Sequence, residues 1–71
     1  MNEKQMLTKI QDAIDDLEVV TNMISRGRTE EAKDLCFSLY KAVFAITGGT
    51  QETLRKYDEF MNKWGQIYTE L

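Results

Sequence analysis

From Met6 to Ile24 the apolar residues fall at Met6, Leu7, Ile10, Ala13, Ile14, Leu17, Val20 and Ile24. This three-and-four spacing puts them on one face of a helix. Asn2 stands three residues before Gln5, the spacing of a capping box, so the helix is expected to start there. Gly27 marks its end, and Arg26 and Arg28 place positive charge at the carbonyl end of the helix dipole. Thr29 then reads as the next N-cap, followed by Glu30 and Glu31, acidic residues suited to a first turn. A second apolar run continues to Ile46 and ends at TGGT, Thr47 to Thr50. Leu54, Tyr57, Met61, Trp64, Tyr68 and Leu71, widened by Phe60 and Ile67, repeat the helical spacing a third time. The chain contains no proline to break these segments.

The pattern predicts helices over about 3–26, 30–47 and 51–70 in a single helical domain spanning 1–71. Connections this short make successive helices antiparallel neighbours. The fold class expected is all-α: a small three-helix up-down-up bundle, or a helical hairpin with a third helix, completed by oligomerisation. A strand over Leu35–Ile46 is the weaker reading despite its Phe, Tyr and Val, because the alanines and the flanking helices favour helix.

The three apolar faces differ in width. At about 100° per residue, the stripes of helices one and three each fill roughly 140°, enough to face a bundle core. In helix two, Ala32, Leu35, Cys36, Leu39, Ala42, Val43 and Ile46 form a similar arc, but Phe37, Tyr40 and Phe44 extend it to roughly 220°. Either the middle helix touches both neighbours and buries a wider face, or the aromatic ridge is left for a partner chain. Half-exposing three aromatics leaves about 225–375 Å² uncovered, worth roughly 6–9 kcal/mol as a gross upper bound. For a small domain with net stability of about 5 kcal/mol, that favours association. The candidate partner-binding residues are therefore Phe37, Tyr40 and Phe44, joined by Val19 and Met23, which stand off the core stripe of helix one.

Composition narrows the remaining options. Seventy-one residues bury a limited fraction of their surface, so a chain of this size leans on staples, association or very good helix packing. A single cysteine, Cys36, excludes an intrachain disulfide, and with no histidine the usual zinc ligand sets cannot form. A lone cysteine among core residues fits a reducing compartment, so the expected location is cytoplasmic. The N-terminal stretch has no continuous apolar segment, and the longest apolar run, Ala42 to Ile46, is far short of a bilayer span. No membrane role is expected. The net charge of −3 and the lack of a basic recognition helix argue against nucleic acid and against a small transcriptional regulator.

The remaining motifs carry little chemistry. Asp12, Asp15, Asp16 and Glu18 form an acidic cluster on helix one. Without histidine or a calcium-loop pattern it reads as a solvated face or a docking face for basic residues, not a metal site. SRGRT, Ser25 to Thr29, sets two arginines beside two hydroxyls, an arrangement able to hold a phosphate or be phosphorylated, but its helix-ending role already accounts for every residue. TGGT lacks the lysine and spacing of a phosphate loop. Cys36 has no histidine to activate it as a nucleophile. Trp64 sits within its helical stripe as a core anchor. No catalytic residue and no cofactor are expected.

GRTEEAKDLCFSLYKAVFAI superficially resembles one helix of a tetratricopeptide repeat, but that repeat's tryptophan, second small position and closing proline are missing, and one unit cannot stack. The size, acidity and short-helix layout are similar to small co-chaperones of bacterial secretion systems. That likeness implies a protein that shields a partner's apolar helix within a complex. The reading from the residues themselves is a non-enzymatic interaction module whose partner is another copy of the chain or a helical protein.

Overall fold

The computed structural model describes residues 2–46 and 49–71. It contains three helices: α1 over Glu3–Ser25, α2 over Thr29–Phe44 and α3 over Gln51–Tyr68. They pack against one another as an all-α bundle.

Each helix boundary has a local cause. Asn2 accepts from the Gln5 amide at 2.8 Å while its own amide donates to Gln5 Oε1 at 3.2 Å, completing the capping box. The other end of α1 closes as a Schellman turn: Arg28 N–H donates to the Met23 carbonyl at 2.9 Å and Gly27 N–H to the Ile24 carbonyl at 3.0 Å. Gly27 carries the positive φ of 77° that this turn demands and that a side chain would strain. Thr29 does not cap α2. The cap falls on Arg28, with no side-chain cap bond, because the turn around Gly27 delivers the chain into helix one residue early. Arg28 pairs instead with Glu31.

α2 stops at Phe44, with Ala45 as its cap. Of the TGGT stretch, Thr47 and Gly48 lie outside the described residues. Thr50 caps α3 and donates its hydroxyl to Glu3 Oε1 at 2.9 Å, tying the starts of α1 and α3 together. A second tie higher up, from Lys56 to Gln11, shows that α1 and α3 run side by side in the same direction. α2 returns between them in sequence, as an up-down-up order requires.

The hub of the bundle is α1, not the middle helix. Met6, Ile10, Ala13, Ile14, Leu17 and Val20 are all buried on it. Against this stripe α2 sets Ala32, Cys36, Leu39 and Val43, and α3 sets Phe60 and Thr53. The small residues Ala32 and Cys36 let α2 lie close on α1, whereas the backbones of α2 and α3 stand farther apart. Phe60, fully buried, fills the centre. The Thr53 side chain is buried without cost because its hydroxyl donates to the Thr50 carbonyl at 2.9 Å.

Candidate functional site

The chain holds three phenylalanines, three tyrosines and one tryptophan. Every one except Phe60 belongs to a continuous seam between α2 and α3. Phe37 meets Tyr68 edge-on with ring centres 5.7 Å apart and Trp64 at 6.3 Å. Tyr40 lies 4.9 Å from Trp64 and 4.8 Å from Phe44. Phe44 meets Tyr57 edge-on at 5.9 Å. Trp64 and Tyr68 stack with planes 9° apart. Offset and edge-on pairs of this kind add about 0.5–1.5 kcal/mol each beyond their buried area.

The seam has a mechanical origin. Phe37, Tyr40 and Phe44 recur at intervals of three and four down α2, and Tyr57, Trp64 and Tyr68 recur at seven and four up the antiparallel α3. Two ridges of large rings therefore face each other and hold their helices apart. One polar bond pins the seam: the Trp64 indole N–H donates to the Cys36 carbonyl at 2.9 Å. Burial, with the neighbouring Tyr40 adding to it, pushes the Tyr57 hydroxyl above its ordinary pKa.

The rings are only partly covered. Tyr40, Tyr57 and Trp64 are half-buried. Phe37, Phe44, Tyr68 and the adjoining Leu54 remain 43%, 53%, 44% and 60% exposed. At the lower end of the seam a cleft of about 270 Å³ opens between Phe44 and Leu54, lined also by Ile10, Ile46, Thr53 and Tyr57. The ridge of α2 is thus neither wholly core nor wholly free.

Of the five residues expected to bind a partner, Phe37, Tyr40 and Phe44 come together here. Val19 and Met23 do not. Met23 is half-buried and packs on the core cluster. Val19, 43% exposed, points well away from the buried stripe of α1, since it sits about 100° from Val20 and about 160° from Leu17. Sequence reasoning assigned the whole stripe of α3 to the core; Tyr57 and Trp64 do pack against the core cluster, and with Leu54 and Tyr68 they also form the other half of the seam, which that reading did not anticipate. The spacing of the α3 aromatics opposite those of α2 was the signal that pairs them.

Elsewhere the surface offers less. Asp12, Asp15, Asp16 and Glu18 are exposed, and among the described residues no three His, Cys, Asp or Glu side chains gather closely enough to hold a metal. Cys36 is buried, and desolvation pushes its thiol above the ordinary pKa, the opposite of an activated nucleophile. Among the described residues no helix is long and apolar enough to cross a membrane. Comparison with known proteins finds no matching family model, no matching curated protein and no matching solved structure.

Proposed function

We propose that this chain is a non-enzymatic interaction module that works by burying the α2/α3 aromatic seam against another polypeptide. One observation carries the reading. Phe37, Phe44, Leu54 and Tyr68 stand together on one face, each more than two-fifths exposed, although a small domain has little apolar surface to spare. Grouped apolar side chains of this size are the usual mark of a contact surface, and aromatic residues are enriched in such surfaces. A reducing compartment such as the cytoplasm fits the buried free thiol of Cys36.

The test compares wild type with Phe44→Asp by size-exclusion chromatography with light scattering, both as pure protein and as tagged protein in lysate of its source cell. Wild type is expected to run as an assembly in at least one setting. Phe44→Asp is expected to run as a monomer in both while keeping its helical circular dichroism. A wild type that is monomeric in both settings, or a variant that assembles equally well, refutes the reading. If Phe44→Asp unfolds, the ring belongs to the core and the reading fails too.

A further inference from the structure

We propose that the occupant of the seam is a second copy of this chain, forming a two-fold dimer in which α2 of each copy covers α3 of the other. This rests on the seam being a contact surface and adds what covers it. In such an interface the same patch must carry both the projections and their receiving sites, and opposite charges at the same height on its two rims are brought together twice. The seam has both features.

Area comes first. The exposed parts of Phe37, Phe44, Leu54 and Tyr68, with the visible edges of Tyr40, Tyr57, Met61 and Trp64, amount to roughly 500 Å² when each aromatic carries about 200 Å². Interface cores of homodimers are about 65% apolar. A dimer built around an apolar centre of this size would bury about 800 Å² per partner, the ordinary size of a specific interface.

The charges are the second observation. Lys41 follows Phe37 by four residues and precedes Phe44 by three, so it shares their face on the α2 rim. Asp58 follows Leu54 by four and shares its face on the α3 rim. Because Phe44 meets Tyr57, and Lys41 and Asp58 both lie from that pair toward the Trp64 end, they differ in height by about 3 Å at 1.5 Å per residue. Both are exposed, and among the described residues neither has an ion-pair partner. A two-fold axis running along the seam exchanges the rims without changing height. It brings Lys41 of each copy to Asp58 of the other, twice per dimer.

Gly65 is the third. A glycine inside a helix weakens it, and a Cβ built at Gly65 would meet nothing within 4 Å. The folded chain by itself has no need of a glycine there. Gly65 follows Asp58 by seven residues and Leu54 by eleven, so it continues the outward ridge of α3 beside Trp64. Phe37 stands level with Trp64 and Tyr68, so the same two-fold lays Phe37 of one copy over Gly65 of the other. It also lays Phe44 over the cleft beside Leu54 and Tyr57. The missing side chain is the seat for a ring.

Sedimentation equilibrium tests this with Lys41→Glu and Asp58→Lys, each checked for helical content. Each variant alone sets two like-charge contacts across the dimer and is expected to raise the dimer Kd by roughly tenfold or more. An equimolar mixture restores both opposite-charge contacts in the heterodimer and is expected to return Kd to within about threefold of wild type. In parallel, Gly65→Leu is expected to raise the thermal midpoint of the dilute monomer while weakening the dimer. The proposal is overturned if the single variants dimerise like wild type, if mixing restores nothing, or if Gly65→Leu leaves the dimer intact. A pure wild type that stays monomeric up to millimolar concentration also overturns it. In that case an assembly seen only in lysate, and lost in Phe44→Asp, would still support the broader reading of the seam.

Discussion

Phe60 and Phe44 are the same residue type on the two sides of the boundary drawn between core and seam, and truncating each to alanine measures that boundary. Phe60 is fully buried at the junction of the helices. Its loss removes a whole ring and leaves a cavity, at a cost of about 3–5 kcal/mol. Phe44 is 53% exposed, so the fold gains only about half of a ring's roughly 200 Å², an upper bound of about 2.5 kcal/mol. Removing its contacts with Tyr40 and Tyr57 should cost about 1–2 kcal/mol in total, with no closed cavity. The assay is urea unfolding followed at 222 nm, in solution dilute enough that only monomer is present. At a slope of about 1 kcal/mol/M, the midpoint should fall by about 3 M or more for Phe60→Ala, close to the whole stability of a domain this size, and by about 1–2 M for Phe44→Ala. Equal shifts would refute the division, because Phe44 would then be an ordinary core ring.

Two further predictions test the scaffold. Gly27→Ala should lower stability by about 1–2 kcal/mol in the same assay, since alanine must adopt the positive φ of the Schellman turn; an unchanged midpoint would show that the turn is dispensable. Stability should be insensitive to the Cys36 thiol below about pH 8.5 and decline above it. The sign follows from linkage: burial raises the folded-state pKa, so the unfolded chain loses its proton first and is favoured as pH rises. Tyr57, raised in the same direction, extends the decline above about pH 10. Cys36→Ala should remove the part of the slope between about pH 8.5 and 10, and a variant that keeps the full slope would contradict the assignment.

Much of the fold was legible in the sequence because its signals were local. The spacing of Ile10, Ile14, Leu17 and Val20 defines a helix whatever packs on it, and the Asn2–Gln5 box and Gly27 set its ends through bonds reaching three to five residues. Thr29 misled because capping depends on where the preceding turn releases the chain, and the Schellman bonds of Gly27 and Arg28 decide that. Which helix serves as the hub was not legible. A middle position in sequence suggested α2, but Ala32 and Cys36 let α2 approach α1 closely, while the rings of Phe37, Tyr40 and Phe44 hold α3 away. The width of a hydrophobic arc told that α2 had rings to spare. It did not tell that α3 would supply Tyr57, Trp64 and Tyr68 to meet them, because pairing between helices is a non-local property. Val19 and Met23 were expected as a minor contact because they stand off the core stripe of helix one; Val19 is exposed as that position implies, whereas Met23 packs on the core cluster.

The most direct test is an isotope-filtered nuclear Overhauser experiment on a mixed sample of labelled and unlabelled chains at high concentration. Contacts between chains are expected from the Phe37 ring to the Gly65 Hα protons, and from the Phe44 ring to Leu54 and Tyr57. Contacts between chains that map instead to Val19 and the outer face of α1, or no such contacts at millimolar concentration, would contradict the assignment of the α2/α3 seam as the surface through which this chain associates.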